Sequence, residues 1–299
     1  MAQKKGPELI DGRKVAAIVK ESIRKEVADL IDNHDKSPHL VAVLVGNDPA
    51  SETYVASKEK QAHQVGMMSS VYRFPDTITE AELLETIDFL NNDDEVDGFI
   101  VQLPLPAHIN EDKIINAIDP KKDVDGFTPV SVGNMVLGKP GFLSATPAGI
   151  MELLKAYHIE LEGKHCVVLG RSNIVGRPMS ILLSQKNEQA NATVTLCHSR
   201  TENMEEITRQ ADVLICAIGK PRFVKASMVK EGAVVIDVGM HRLPDATKER
   251  GYRLAGDVDF DQVFKKASYI TPVPGGVGPM TIAMLLKNTL SAHKKEFQQ

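Results

Sequence analysis

Residues 166–183 read CVVLGRSNIVGRPMSILL, which is a short apolar run, a glycine turn and the start of a helix. In a doubly wound α/β sheet, a turn of this kind at the end of a strand holds a phosphate or a nucleotide. The spacing from Gly170 to Gly176 does not match GxGxxG, and the loop lacks the GK[ST] of a Walker motif. Two interpretations therefore stay open, a nucleotide-binding loop and a glycine turn that binds no ligand.

The end of the next predicted strand bears on the choice of nucleotide. The run 193–197 (TVTLC) is followed by HSRT at 198–201. An NAD-binding fold carries an acidic residue at this point, whereas a cation with hydroxyl groups suits the 2′-phosphate of NADP. Arg171 and Arg177 in the preceding loop add positive charge. The pattern favours NADP over NAD, and the alternative is that these arginines are solvated loop charges.

Apolar runs alternate with helical periods along the whole chain, which predicts two α/β domains with a cleft between them. The second domain is expected to be a Rossmann-like doubly wound parallel sheet. Residues 119–147 are rich in Gly, Pro, Asp and Thr and are predicted to be loop. The predicted strands are 39–45, 70–74, 97–103, 165–169, 193–197, 213–218, 234–238 and 269–270. The predicted helices are 11–31, 49–66, 79–90, 110–118, 147–157 and 279–297, with further helices beginning near Val175, Met204 and Met228.

Polar residues of the first half gather where ligands bind in such folds. Tyr54 and Lys58 are four residues apart and share one helix face. Gln102 ends the third predicted strand, and Asp123 with Asp125 follow the next helix. The carboxyl ends of parallel strands face the ligand crevice, where this lysine could have a lowered pKa. The alternatives are a solvated lysine and, for both aspartates, turn formation before Gly126.

The segment 269–286, YITPVPGGVGPMTIAMLL, is dense in proline and glycine and leads into a predicted helix. Such a backbone can approach a ligand closely, and it can equally serve as a rigid connector between domains.

Composition excludes several classes of protein. The chain of 299 residues has a formal net charge of -5, so a general nucleic-acid or membrane-surface binder is not expected. Cys166, Cys197 and Cys216 lie in apolar runs without metal-ligand spacing, which indicates buried thiols in a reducing compartment and no zinc site. The first residues lack the features of a signal or transit peptide, and the chain has no apolar run of membrane-spanning length. A cytoplasmic location is expected.

Long specific motifs make the chain resemble the bifunctional methylenetetrahydrofolate dehydrogenase/methenyltetrahydrofolate cyclohydrolase family. They are spread from about residue 45 to residue 288 and are YVASK, DGFIVQLPLP, KDVDGF, ATPAGI, VVLGRSNIVGRPM, VTLCHSRT, VIDVGMHR, GDVDF and ITPVPGGVGPMT. The resemblance implies an enzyme of one-carbon metabolism that transfers a hydride from 5,10-methylenetetrahydrofolate to NADP. It then hydrolyses the methenyl product to 10-formyltetrahydrofolate.

The resemblance also implies roles for particular residues. Residues 1–146 with 275–299 would form the folate-binding catalytic domain, and 147–274 the NADP-binding domain. Lys58 would be the main catalytic group of the hydrolysis, tuned by Gln102, with Tyr54 beside it and Asp125 holding the pterin ring. Further folate contacts are expected from Leu103, Pro274, Gly275 and Gly276. The expected cofactor contacts are Gly170, Arg171, Ser172, Ser199, Arg200 and Met240. No metal is implied, and a homodimer is expected.

The chain departs from the family pattern at two places. Met240 and His241 stand where isoleucine and asparagine are usual, and residues 185–191 form a short insertion that is expected to be a surface loop. Two other functions stay open at this stage. One is an NADP-dependent dehydrogenase without the hydrolase step, and the other is a dinucleotide sensor without enzymatic activity.

Overall fold

The computed structural model describes residues 7–249 and 251–297, which form eleven strands and ten α-helices. The strands are β1 (Glu8–Leu9), β2 (His39–Val45), β3 (Met68–Phe74), β4 (Gly98–Val101), β5 (His165–Leu169), β6 (Thr193–Cys197), β7 (Val213–Cys216), β8 (Val234–Asp237), β9 (His241–Pro244), β10 (Tyr252–Ala255) and β11 (Tyr269–Ile270). The helices are α1 (Gly12–Asp32), α2 (Pro49–Gln64), α3 (Glu80–Asn92), α4 (Glu111–Ala117), α5 (Pro129–Val136), α6 (Ala145–Ala156), α7 (Gly176–Ser184), α8 (Met204–Thr208), α9 (Phe260–Phe264) and α10 (Val277–His293).

The chain forms two compact units. The six-stranded unit contains the described residues up to Ala16 together with Thr146–Thr281, and the three-stranded unit contains Ala17–Ala145 and the described residues from Ile282 onward. The predicted fold class, two α/β domains of which one is Rossmann-like, is confirmed.

The six-stranded unit is built on a parallel sheet in the order β1-β11-β8-β7-β5-β6. Strands that are covered on both faces must be apolar throughout, and Val213–Cys216 is buried at every position. The chain moves to one side of β5 for β6 and to the other side for β7 and β8. This reversal creates the switch point at which open α/β sheets bind ligands, beyond the carboxyl ends of the strands.

The three-stranded unit has the parallel order β3-β2-β4. The central strand β2 is buried from its second residue to its last, as its continuous apolar sequence predicts. Helix α3 begins with the predicted capping box of Thr79 and Glu82 and buries Leu83, Ile87 and Leu90 against the sheet. The predicted helix and strand order of this half is therefore confirmed, with shifts of a few residues at the ends of elements.

Two predictions about local structure were wrong, and one pair of strands was not predicted. Residues 119–147 are not entirely loop, because α5 lies within them and begins at Pro129 after an N-cap from Thr128 to the backbone N–H of Ser131. The helix expected near Met228 is a single 3₁₀ turn over Ala226–Met228. The antiparallel pair β9–β10 was not predicted, and its strands are short and half exposed, so they carry a weak apolar signal.

The structure assigns the N-terminal and C-terminal segments to the two units with limits that differ from the sequence-based domain limits. Strand β1 pairs in parallel with β11, and the backbone N–H of Asp11 donates to the Tyr157 hydroxyl at 2.7 Å. Thr146 and Thr281 share a hydrogen bond of 2.9 Å between their hydroxyl groups. The described residues up to Ala16 and the start of α10 therefore belong to the six-stranded unit. The assignment of folate and NADP to separate domains stays a prediction.

Residues 7–249 and 251–297 contain no helix that combines the length and hydropathy needed for a membrane span.

Candidate active site

Helix α2 carries the buried lysine of the three-stranded unit. Its first turn is fixed by Asp48, whose carboxylate accepts the backbone N–H of Ser51 at 2.7 Å, and by Pro49 in the first turn of the helix. Val55 and Ala62 are fully buried on the same face as Lys58. Lys58 is only 7% exposed, so the interpretation as a solvated helical lysine was wrong.

Gln102 holds the ammonium group of Lys58. It follows β4, and its backbone N–H extends the sheet by donating to the carbonyl of Val43 at 2.9 Å. Lys58 Nζ donates to Gln102 Oε1 at 3.0 Å, while Gln102 Nε2 donates to the Leu103 carbonyl at 2.8 Å. The second contact fixes the orientation of the amide, because only its oxygen can accept from a lysine.

Burial and charge act against each other at Lys58 and Asp125. Desolvation lowers the pKa of Lys58, and the negative charge of Asp125 partly opposes this shift. Desolvation also raises the pKa of Asp125 to about 6, while the charge of Lys58 lowers it and that of Asp123 raises it. For each group, the charged form is therefore less favoured relative to the neutral form than it would be in water. Opposed shifts of this kind are common where groups take part in acid–base chemistry.

Asp123 and Asp125 have different surroundings although they are two residues apart. The carboxylate of Asp123 is buried and accepts the backbone N–H groups of Phe127 and Thr128 and the hydroxyl of Ser131, at 3.1, 2.8 and 2.6 Å. Asp123 thus organises the turn, as its alternative interpretation expected. The carboxylate of Asp125 is the one that shares an electrostatic interaction with Lys58.

Tyr54 lies one helical turn before Lys58 and is half-buried. Burial raises the pKa of its hydroxyl, so Tyr54 is a neutral phenol at physiological pH. The three-stranded unit therefore contains Tyr54, Lys58, Gln102 and Asp125, with Leu103 next in sequence to the glutamine. Pro274, Gly275 and Gly276, the other predicted folate contacts, belong to the six-stranded unit and stay a prediction.

The glycine loop after β5 depends on the absence of side chains. Gly170 has a φ of +114°, and a Cβ there would lie 2.0 Å from the carbonyl oxygen of Ala217. A Cβ on Gly176 would lie 2.0 Å from the carbonyl oxygen of Gly170. The loop and the start of α7 are therefore packed backbone to backbone, which is how a dinucleotide fold brings a helix N-terminus to its ligand.

Positive and hydroxyl-bearing side chains follow the neighbouring strand ends at this edge. Arg171, Ser172, Ser199 and Arg200 are all exposed, and the pairing of Leu169 with Cys197 places the ends of β5 and β6 side by side. These donors fit the anionic phosphates of a dinucleotide, including a 2′-phosphate. Met240 follows β8 and is 44% exposed. The cofactor residues predicted from the sequence thus lie near the carboxyl ends of three strands of one sheet.

Sequence reasoning missed two buried carboxylates at the same edge. Asp237 is the last residue of β8 and Asp257 comes two residues after β10; they are 3% and 0% exposed. Burial raises the pKa of Asp237 to about 6, although the hydrogen bonds from the backbone N–H groups of Asp257 and Val258 act to lower it. The signal available for Asp237 was its place directly after the apolar run 234–236, whereas Asp257 follows a glycine and gave no such signal.

The fold and these two groups of residues define a class of enzyme with a Rossmann-like nucleotide-binding sheet and a separate α/β unit that contains a buried lysine. Two family models cover the chain. Residues 10–125 match "Tetrahydrofolate dehydrogenase/cyclohydrolase, catalytic domain", and residues 144–297 match the NAD(P)-binding domain of the same family. The chain belongs to the tetrahydrofolate dehydrogenase/cyclohydrolase family, and the predicted family is confirmed.

Individual relatives agree with this assignment over nearly the whole chain. The bifunctional protein FolD of Phocaeicola vulgatus is 59% identical over 96% of this chain and 98% of its own length. The crystal structure of FolD from Campylobacter jejuni is 49% identical, covers 98% of this chain and 100% of its own, and superposes with a TM-score of 0.91. The Trypanosoma brucei enzyme, complexed with NADP cofactor and inhibitor, is 39% identical with a TM-score of 0.93, over 99% of this chain and 100% of its own.

Proposed function

We propose that this enzyme oxidises 5,10-methylenetetrahydrofolate to 5,10-methenyltetrahydrofolate with NADP and then hydrolyses that product to 10-formyltetrahydrofolate. The family assignment supports both steps, because the catalytic and the NAD(P)-binding domain models both match. The observation that carries the proposal is the buried contact of Lys58 with Gln102, with the charge of Asp125 acting on the same lysine.

The hydrolysis requires proton transfer, since the attacking water loses a proton and a ring nitrogen gains one. Lys58 is suited to this task because burial lowers its pKa and so makes the neutral amine more accessible. Gln102 holds the amine in one position by accepting one of its hydrogens. We assign to Tyr54 the role of a neutral donor that helps to position the substrate.

The oxidation depends mainly on alignment of the two reactants. NADP, when bound, accepts the hydride. Gly170, Arg171 and Ser172 would hold the dinucleotide, with Ser199 and Arg200 at its 2′-phosphate and Met240 against it. Asp125 would accept hydrogen bonds from the pterin N–H groups, with Leu103, Pro274, Gly275 and Gly276 as further folate contacts.

The test is the Lys58→Met variant assayed for both reactions. Loss of a general acid–base group typically costs about 10²–10⁴-fold in rate, so cyclohydrolase activity should fall by that factor. The dehydrogenase should stay measurable, and the methenyl compound should accumulate and be visible by its absorbance. Lys60→Met is the matched control, because Lys60 is exposed on the same helix. Cyclohydrolase activity of Lys58→Met within a few-fold of wild type would contradict the assignment of Lys58. Wild-type enzyme without cyclohydrolase activity would instead favour the other candidate, a dehydrogenase without the hydrolase step.

We also propose that the enzyme is a cytoplasmic homodimer. Support comes from the family resemblance and from three buried free cysteines, which suit a reducing compartment. Light scattering of the purified protein at micromolar concentration checks the dimer, and cell fractionation checks the location.

A further inference from the structure

One buried carboxylate in the six-stranded unit receives hydrogen bonds from two separate segments of the chain. Asp257 Oδ2 accepts the backbone N–H groups of Ile218 and Gly219 at 2.7 and 3.0 Å. Its other oxygen, Oδ1, lies 2.7 Å from His241 Nε2. The first two residues lie beyond the end of β7, and His241 begins β9. Asp257 therefore joins the loop after β7 to the first residue of β9.

A second carboxylate, that of Asp237, fixes the backbone at Asp257. Asp237 Oδ1 accepts the backbone N–H of Asp257 at 2.9 Å, and its Oδ2 accepts that of Val258 at 3.0 Å. The packing leaves no room for a side chain, since a Cβ on Gly239 would lie 2.4 Å from Asp257 Oδ1 and one on Gly256 would lie 1.8 Å from Asp237 Oδ2. The position of the Asp257 carboxylate is therefore set by its own surroundings.

The segments that Asp257 holds are the ones that support two proposed cofactor contacts. Ile218 and Gly219 follow Ala217, against whose carbonyl oxygen Gly170 packs without room for a Cβ. His241 directly follows Met240, which is 44% exposed. A shift of the loop after β7 would move the surface on which the glycine loop rests, and a shift of His241 would move Met240.

We propose that Asp257 is a positioning residue of the NADP site and that His241 is its partner in that role. The carboxylate acts through the loop after β7 and through the start of β9, so it governs the affinity for the dinucleotide without touching it. The inference rests on the proposed function, since it assigns NADP to this edge of the sheet. It adds two residues that neither the family resemblance nor the sequence motifs singled out for a role.

The bifunctional chemistry provides an internal control. Hydrolysis of the methenyl compound consumes no NADP, and the proposed hydrolytic residues all belong to the three-stranded unit. A defect confined to NADP binding should leave that reaction intact, whereas general loss of structure should lower both activities. The two effects can therefore be separated in one preparation of protein.

The experiment measures the dissociation constant of NADP by calorimetry, the KM for NADP, and the cyclohydrolase rate without NADP. For Asp257→Asn and for His241→Ala, we expect NADP affinity to fall roughly tenfold or more. The first substitution removes the negative charge that accepts the N–H groups of Ile218, Gly219 and His241, and the second removes the hydrogen bond of His241 to that charge. Cyclohydrolase activity should stay within about twofold of wild type. Asp259→Asn is the matched control; its carboxylate pairs with the exposed Lys225, and both activities should be unchanged.

Wild-type NADP affinity in Asp257→Asn would overturn the proposal, as would equal losses of both activities with a lowered melting temperature. If Asp257→Asn does not fold, His241→Ala decides, because His241 is partly exposed. Wild-type enzyme that lacked both activities would instead contradict the proposed function. The two failures are thus distinguishable.

Discussion

Two single residues of the three-stranded unit carry charges that burial disfavours. Lys58 has a lowered pKa and Asp125 has a pKa of about 6, and each charge supports the other. Buried ionisable groups without full pairing cost stability, so their presence at one site indicates a chemical purpose. The neighbouring Asp123 is also buried, but its carboxylate is saturated by hydrogen bonds from its own turn.

The raised pKa of Asp125 predicts how folate binding depends on pH. Only the ionised carboxylate can accept two N–H groups of the pterin, and it loses its charge as the pH falls through about 6. The dissociation constant of tetrahydrofolate should therefore increase as the pH is lowered from 8 to 5. Asp125→Asn should bind folate weakly over the whole range, and calorimetry at several pH values checks both expectations. A wild-type profile as flat as that of the variant would contradict the assignment of Asp125.

Folding stability provides the control for that experiment. The pKa of Asp125 is raised from 3.8 to about 6 by folding, so its favourable contribution is complete below 3.8 and is lost as the pH rises through about 6. Above that pH, the buried carboxylate costs at most about 3 kcal/mol. Asp125→Asn removes this cost but also the charge that supports Lys58, and we expect the variant to stay folded at pH 7. Thermal unfolding of the variant and of wild type checks that weak folate binding does not come from unfolding.

At the scale of elements, the C-terminal helix α10 supports the turn that presents Asp125. Asn288 is buried, and both hydrogens of its amide are used, in donation to the carbonyls of Val124 and Leu143 at 2.8 and 2.9 Å. Val124 directly precedes Asp125 in the chain. A helix distant in sequence thus sets the backbone beside a residue of the proposed folate site.

Substitution of Asn288 tests this connection. Asn288→Leu keeps the approximate volume but leaves two carbonyls without a donor, which should cost about 1–3 kcal/mol in the free energy of unfolding. The KM for folate should rise, because the turn before Asp125 loses its support. Lys287→Leu, at an exposed position of the same helix, should change stability by about 0.5 kcal/mol or less. Urea denaturation and steady-state kinetics measure both effects, and an unchanged midpoint and KM would refute the role of Asn288.

At the scale of the whole molecule, the proposed hydrolytic residues and the proposed cofactor residues belong to different units. The three-stranded unit contains the buried lysine, and the six-stranded unit presents Arg171, Ser172, Ser199 and Arg200 at the carboxyl edge of its sheet. The NADP-independent hydrolysis and the NADP-dependent oxidation can therefore be perturbed one at a time.

Arg171→Ala should change cofactor use and leave the hydrolysis unchanged. Removal of a charge-assisted contact to phosphate should reduce kcat/KM for NADP roughly tenfold or more. The hydrolysis of the methenyl compound without NADP should stay at the wild-type rate. Arg209→Ala is the control, since Arg209 is an exposed arginine of the same unit that pairs with Glu205. An unaltered kcat/KM for NADP would exclude Arg171 from the cofactor site, and an unaltered ratio of kcat/KM values for NADP and NAD would exclude it from the 2′-phosphate.

The sequence by itself determined the α/β class and most elements, and it predicted the group of Tyr54, Lys58, Gln102 and Asp125. Apolar runs and helical periods indicate which faces of strands and helices are buried. The carboxyl ends of parallel strands meet at one edge of the sheet, so local patterns suffice for these conclusions. The family resemblance singled out Asp125, but only the tertiary structure showed that the carboxylate of Asp123 is bound by its own turn. Only the tertiary structure brought Asn288 and Asp257 to their partners. These contacts join side chains to backbone groups 38 to 164 residues away. No local pattern encodes such a contact, because it arises only when the packed elements bring the two groups within hydrogen-bonding distance.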